Sequence, residues 1–423
     1  MQRRIAIIGS GISGLTCAHL LHEQHDVTVF DINDYIGGHT ATKEIKVKGR
    51  AYQVDTGFIV FNDWTYPNFI KLMDKLGVSR QPTEMSFSVH SEKSGLEYNG
   101  NNLNTLFAQR RNLFRPRFWR LVRDILKFNK ACKARHEEAR EEDFTTTLFE
   151  YIQSLGLSDE FANLYILPMC AAIWSASLEQ TKQFPLAFFL QFFNNHGLLS
   201  VNNRPQWYTL IGGSHSYIPG ITQGYEDKIR LSSAVYKVKK IEAGWEVCIE
   251  GRESEVFDEV IFACHSDQAL RMLDAPTDAQ QDILGAIPYA SNDVVLHLDV
   301  TQLPDRKLAW ASWNYRLKET PDERHAPASV TYDMNILQRF DNAPVTFCVT
   351  LNNTDAIDET KILRQYSYAH PQFSGSMVAA QRRRAEICGI DGLHFCGAYW
   401  YNGFHEDGVR SALDVCERFG ATL

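Results

Sequence analysis

Residues 4–14 read Arg4-Ile5-Ala6-Ile7-Ile8-Gly9-Ser10-Gly11-Ile12-Ser13-Gly14, and this stretch decides the fold. Arg4 to Ile8 predicts a short buried strand, because isoleucine dominates a run bounded by glycine. Leu15, Ala18, Leu20 and Leu21 then recur at helical spacing, and Val27 to Phe30 predicts a second strand that ends on Asp31. A strand, a G-x-G-x-x-G turn, a helix and a strand closed by an acid make a dinucleotide-binding βαβ unit. Gly9 permits the tight turn, Gly11 lets the backbone approach a pyrophosphate, and Gly14 lets helix and strand pack closely. The helix start, with Ser10, Ile12 and Ser13, offers N–H groups and a positive dipole end to phosphates. Asp31, followed by Ile32, is placed to accept hydrogen bonds from ribose hydroxyls.

This unit alone does not separate one dinucleotide from another. The next segments do. Ile36-Gly37-Gly38-His39-Thr40 follows the acid closely, and Val54-Asp55-Thr56-Gly57-Phe58 comes after a short hairpin. A second glycine pair so near the second strand resembles the FAD-containing superfamily of amine oxidases, phytoene desaturases and protoporphyrinogen oxidases. The resemblance implies FAD, held non-covalently since no covalent-attachment sequence is recognisable. It places Gly38, His39 and Thr40 along the pyrophosphate and ribityl chain, and Gly57, Phe58 and Ile59 near the flavin ring. The family usually has Arg after the glycine pair, where this chain has His39.

The resemblance continues through the chain in the expected order. Ile229 to Ile249 and Asp258 to Ala263 look like the adenine-side meander, which implies that Val235 and Ala263 lie at the nucleotide. Leu393 to Ala398 reads as a strand entering a loop, and Gly403 to Gly408 leads into a helix, Val409 to Phe419. By the resemblance, Gly397, Asp407, Gly408 and Val409 close the flavin site, with the helix dipole stabilising negative charge on the reduced ring. The family's acid after the strand's glycine is replaced by Ala398. The sequence is most similar to a bacterial branch of predicted NAD/FAD-binding proteins, through Ala398-Tyr399-Trp400, Phe404 to Gly408 and Ile211 to Tyr217.

The expected fold is therefore α/β. A Rossmann-like, GR2-type FAD-binding domain is assembled from 1–80, 205–270 and 380–423. A discontinuous α+β substrate domain takes 81–204 and 271–379, with a helical cap and an antiparallel sheet at Val294 to Leu298, Ser329 to Tyr332 and Val345 to Leu351. A length of 423 residues suits two domains. The formal charge of -8 argues against nucleic acid as a partner. Nine cysteines without C-x-x-C or metal spacing predict reduced thiols and no metal site. No apolar run reaches the ~18 residues of a membrane span, and the first strand begins almost at Met1, leaving no room for a signal peptide. The expected location is the cytoplasm, with the inner membrane surface as a peripheral site.

That membrane expectation comes from residues 110–128, RRNLFRPRFWRLVRDILKF. Phe114, Phe118, Leu121, Val122, Ile125 and Phe128 fall on one helical face, and Arg120, Arg123 and Lys127 on the other. A basic amphipathic helix suits an anionic membrane, although packing on a core explains the same pattern. Leu164 to Trp174 and Phe184 to Phe193 read either as core helices or as the walls of an apolar tunnel.

Flavin takes a hydride at N5, so the open choice is between C–C and C–N oxidation. Amine oxidases of the superfamily carry a lysine on a substrate-domain strand, and the matching stretch Asn292 to Asp299 has none. His405 stands where the family has an aromatic cage residue. His405 and Glu406 are the acid/base candidates, with helix capping as the plain alternative. Tyr399, Trp400, Tyr401 and Phe404 are expected to wall a hydrophobic substrate site. The leading expectation is a desaturase or dehydrogenase of an acyl lipid or isoprenoid. An amine oxidase, and a non-catalytic flavoprotein in a lipid-modifying complex, stay open as alternatives, and so does the electron acceptor.

Overall fold

The run Ile5–Ile8 has no polar side chain to offer solvent, and it becomes the middle strand of a parallel sheet, with Ile5, Ala6 and Ile7 wholly buried. The computed structural model describes residues 2–174, 176–200, 204–318, 325–326 and 328–423. Five strands lie side by side in the order Ile229–Arg230, Asp26–Phe30, Arg4–Ile8, Glu259–Phe262 and Leu393–Phe395. All four pairings are parallel. The chain leaves this sheet and returns to it three times, at Ile229, Glu259 and Leu393, carrying other structure in the intervals. Near-continuous apolar strands are what a parallel sheet covered on both faces requires.

One face is covered by the first helix, Ile12–Leu21, and this helix packs against the closing helix, His405–Cys416. Ser13 Oγ donates to Gly408 O at 2.9 Å, pinning the two helices at their first turns. A three-stranded antiparallel meander, Val235–Ile241, Gly244–Ile249 and Glu255–Phe257, follows the edge strand.

The second body is built on a seven-stranded sheet ordered Ile362–Pro371, Tyr289–His297, Cys348–Leu351, Val330–Asp333, Trp313–Leu317, Phe87–Ser91 and Leu96–Asn99. It corrects the sequence reading in two ways. The sheet is mixed, since Trp313–Leu317 runs parallel to Phe87–Ser91. Its last two strands come from 87–99, outside the stretches where strands are expected. These strands are short and partly polar, so little periodicity marks them before their partner is in place.

The helical cap follows. Its core is aromatic: Trp174 meets Phe184, Phe188 and Phe192 with ring centroids 5.1, 5.1 and 4.6 Å away. The helix expected over 110–128 begins only at Pro116 and runs to Glu138, behind a 3-10 turn at Arg110–Phe114. Proline suits the first helical position, where its missing N–H is not needed. Phe118, Leu121 and Phe128 face the cap core and are buried, so most of the predicted apolar stripe is packing. Phe114 lies ahead of the helix and is 87% exposed.

Candidate FAD and active site

The turn after the first strand is fixed by Asp31. Ser10 N and Oγ donate to its Oδ2 at 2.8 and 2.5 Å, and Asn33 N and Nδ2 donate to its Oδ1 at 2.9 and 3.0 Å. A carboxylate offers about four lone-pair sites, so this one is fully engaged. The expected ribose contact would have to displace Ser10 Oγ or the Asn33 amide. Ile32 beside it points outward, 70% exposed. Ser233 N donates to Asp31 O at 2.8 Å, which brings the meander and Val235 alongside.

The first helix starts at Ile12 with Gly11 as N-cap, and no side chain caps it. A Cβ placed on Gly11 would meet no atom within 4 Å, whereas one on Gly14 would sit 1.9 Å from Gly9 O. The first glycine faces open space and the second permits a backbone contact. Ala263 continues the neighbouring strand, its N–H donating to Ile8 O at 2.9 Å.

The glycine pair crosses this turn. Gly37 N donates to Ser10 O at 3.0 Å, and Gly38 lies against Gly11, so that a Cβ there would be 3.3 Å from Gly11 Cα. His39 follows, and Phe58 N donates to its carbonyl at 2.8 Å. At Gly57 a Cβ would fall 2.2 Å from the same oxygen, which is why residues 38–40 and 57–59 can run together. His39 Nε2 is buried without a hydrogen-bond partner. Its ring lies 5.1 Å from Tyr368, 5.5 Å from His370 and 6.3 Å from His265. Burial, and then the neighbouring imidazoles, push His39 down to about 3. This position therefore carries no fixed positive charge where the family usually has Arg.

Open space at an uncapped helix start, and an unpartnered buried imidazole nitrogen beside the glycine pair, are what a bound diphosphate would fill. The residues present fit FAD. Gly11, Ile12, Gly38 and His39 would hold its diphosphate, with Ser10 fixing the turn through Asp31.

At the other side, His405 is packed between rings. It lies on Phe58 at 3.8 Å with planes 7° apart, and Phe69 meets its edge at 5.3 Å. Its Nε2 is 3.0 Å from Tyr217 Oη, which also bonds Thr40 Oγ1. Burial pushes its pKa down to about 3, so the ring is neutral. Tyr217 has no role legible in the sequence beyond its place in Ile211 to Tyr217, one of the stretches that carry the family resemblance. From the same stretch Ser214 N and Oγ each donate to Asp55 Oδ1 at 2.9 Å, inside the fold.

Glu406 departs from the sequence reading. Its Oε1 accepts from Asn68 N and Nδ2 at 3.1 and 2.7 Å, and its Oε2 from Phe69 N at 2.8 Å. It caps the helix Pro67–Lys75. Asp407 caps its own helix: Phe404 N donates to its Oδ2 at 2.9 Å, and burial pushes its pKa up to about 7. Because the closing helix begins at His405 rather than Val409, Gly408 and Val409 lie inside it. A Cβ on Gly408 would be 2.7 Å from Ile12 Cγ2, and Val409 is buried with Ile12 and Leu15.

The four-residue aromatic wall divides. Gly397 N donates to Ser411 Oγ at 2.8 Å. Tyr399 and Trp400, 3% and 2% exposed, then turn into the core of the nucleotide domain. Tyr401 stays near the surface under Arg410, 3.9 Å from its ring centre, and its hydroxyl donates to Asp414. Only Phe404 reaches the cap, 5.4 Å from Phe192 and 5.7 Å from His196. The loop reverses at Gly403, whose N–H donates to Ala398 O at 3.1 Å, and this separates Phe404 from the other three. A cavity of about 360 Å³ lies at this seam, between Trp64, Asn68, His196, Phe404 and Asp407.

A model of the family described as flavin containing amine oxidoreductase matches residues 12–346. No curated protein matches the chain. Among solved structures, the CLA-producing fatty acid isomerase from P. acnes superposes with TM-score 0.70 at 16% identity, over 99% of this chain and 98% of that one. Cyclohexylamine oxidase from Brevibacterium oxydans IH-35A gives 0.70 at 16% identity, over 99% and 100%. Putrescine oxidase gives 0.67 at 15% identity, over 99% of each chain. At these identities the likeness is one of fold, while the family match spans most of the sequence. With a nucleotide turn and glycine pair that fit FAD, the chain belongs to the flavin-containing amine oxidoreductase family and is an FAD-dependent oxidoreductase.

Proposed function

We propose that the enzyme dehydrogenates a hydrophobic chain, an acyl lipid being the class its lining fits best. The supporting observation is an aromatic surface that runs from the cap to the loop before the closing helix. Phe373 stacks on Phe188 at 4.9 Å and 18°, and Phe404 on Phe192 at 5.4 Å and 23°. His196, in the same group, is kept uncharged down to about pH 4 by burial. Such rings offer dispersion contacts to methylene groups, and the carboxylates at the adjoining cavity, Glu406 and Asp407, are already engaged by N–H donors.

FAD, when bound, supplies the two-electron acceptor. The chain's own residues bind it, exclude water and handle the proton. Neutral His405 is suited to pass a proton through its Nε2 hydrogen bond to Tyr217, not to store one. Glu406 is not proposed as the base, because three donors already occupy it.

The fatty acid isomerase among the structural neighbours supports the acyl reading. The family's description and the two amine oxidases favour a second reading, oxidation of an amine. Against it, the strand Tyr289–His297 contains no lysine. Anaerobic mixing with acyl lipids and with primary amines tests the choice. Bleaching of the flavin by lipid alone is expected. Bleaching by amines, with hydrogen peroxide formed in air, would replace the proposal with the second reading.

A further inference from the structure

The cap carries a surface that neither its core nor the flavin site uses. Residues 110–135 hold ten Lys and Arg and one acid, Asp124, a local charge of +9 (ten minus one) in a chain of net charge -8. The helix Pro116–Glu138 has buried its apolar face, yet large apolar side chains remain outside. Leu103 is 76% exposed, Leu113 42%, Phe114 87%, Trp119 50% and Leu126 53%. These are five of the fourteen large hydrophobic residues exposed among the described residues, gathered within 24 positions. Isolated exposed apolar residues need no explanation, but a cluster among cations does.

The cluster is held in place. Trp119 Nε1 donates to Leu113 O at 2.9 Å, and the Trp119 ring lies 5.3 Å from Phe107. Arg110 donates to Asn104 Oδ1 and Arg111 to Gly95 O, tying down the turn that presents Phe114. Arg120 pairs with Glu160 at 3.0 Å. The Arg123 side chain is 74% exposed, and Arg115 and Lys130 are also exposed.

We propose that residues 103–130 dock this protein on an anionic lipid bilayer. Leu103, Phe114 and Trp119 enter the boundary between headgroups and acyl chains, while Arg115, Arg123 and Lys130 lie against lipid phosphates. Charge selects this occupant. A symmetric contact with a second copy would set one basic surface against another. A nucleic acid would satisfy the cations but leave Leu103 and Phe114 without an apolar partner. Docking does not rest on the substrate being a lipid, and each can fail without the other.

Flotation of the FAD-loaded protein tests it, using vesicles of phosphatidylcholine with and without phosphatidylglycerol. Wild type should float only with the anionic vesicles and detach at about 1 M salt, where the screening length is about 3 Å. The triple variant Arg115→Glu, Arg123→Glu, Lys130→Glu should bind about 100-fold more weakly, at about fivefold per charge. Leu103→Ser with Phe114→Ser should lose at least about tenfold through lost apolar burial, with the salt dependence kept. Both variants should keep the wild-type flavin spectrum and melting temperature. Wild type that stays unbound at low salt overturns the proposal, as does full binding by the Leu103/Phe114 variant. A wild-type dimer that Phe114→Ser dissociates would assign the surface to a second copy instead. Heparin binding as tight as lipid binding and indifferent to Phe114→Ser would make it a polyanion surface.

Discussion

His405 lies flat on Phe58, ring centroids 3.8 Å apart and planes 7° from parallel, with its Nε2 bonded to Tyr217. Burial lowers its pKa from the ordinary 6.5 to about 3. The unfolded chain binds this proton below 6.5 and the folded chain does not. The stability His405 allows is therefore complete above pH 6.5 and falls as pH drops toward 3. At pH 5 the loss is about 2 kcal/mol. His405→Phe keeps the stack and loses a hydrogen bond, which costs about 1 kcal/mol. Urea melts should show the variant less stable at pH 8 and more stable at pH 5. Equal loss at both values would remove His405 as the titrating group. Flavin reduction should also slow in this variant, if the Nε2–Tyr217 bond carries the proton.

Two glycines in one turn should fail in different ways. Gly11→Val puts its Cβ where no atom lies within 4 Å. The apoprotein should melt within about 0.5 kcal/mol of wild-type apoprotein, yet be colourless. Gly14→Ala brings a Cβ to 1.9 Å from Gly9 O and should cost several kcal/mol through a backbone clash. A yellow Gly11→Val protein would refute the assigned diphosphate site. Acid precipitation of wild type should leave FAD in the supernatant, since attachment is expected to be non-covalent.

Glu406→Gln separates a cap from a base. One acceptor oxygen is lost from a carboxylate that takes three N–H donors. Stability should fall by about 1–2 kcal/mol, with FAD kept and flavin reduction close to wild type. A rate loss of ~10²-fold or more at unchanged stability would restore Glu406 as an acid/base group.

Trp174→Ala should cost about 3–5 kcal/mol, as expected for a buried aromatic deletion. The ring is enclosed by Phe184, Phe188 and Phe192. Because it lies in the cap, the flavin spectrum at low temperature should not change. A denaturation midpoint equal to wild type would show that this aromatic group is loosely packed.

What was legible in the sequence was local. Residues 4–31 form strand, turn, helix and strand in one stretch, so period and glycine spacing speak without reference to distant partners. Phe87–Ser91 was not legible, because its partner, Trp313–Leu317, lies far along the chain. The amphipathic stripe of 110–128 is legible in the sequence, but Pro116 moves the helix start and takes Phe114 off its face.

The sequence by itself determined the nucleotide turn, the glycine pair that follows it and the α/β class. Backbone geometry and hydrogen-bonding needs within a few residues leave little choice there. Only the tertiary structure decided how the polar groups are spent. Asp31 is saturated by Ser10 and Asn33, Glu406 caps a helix 338 positions earlier in the chain, and Tyr399 and Trp400 turn inward while Phe404 faces the cap. The physical reason is that a side chain's type fixes what it can bond. Which donor or ring reaches it depends on segments that meet only in the folded chain.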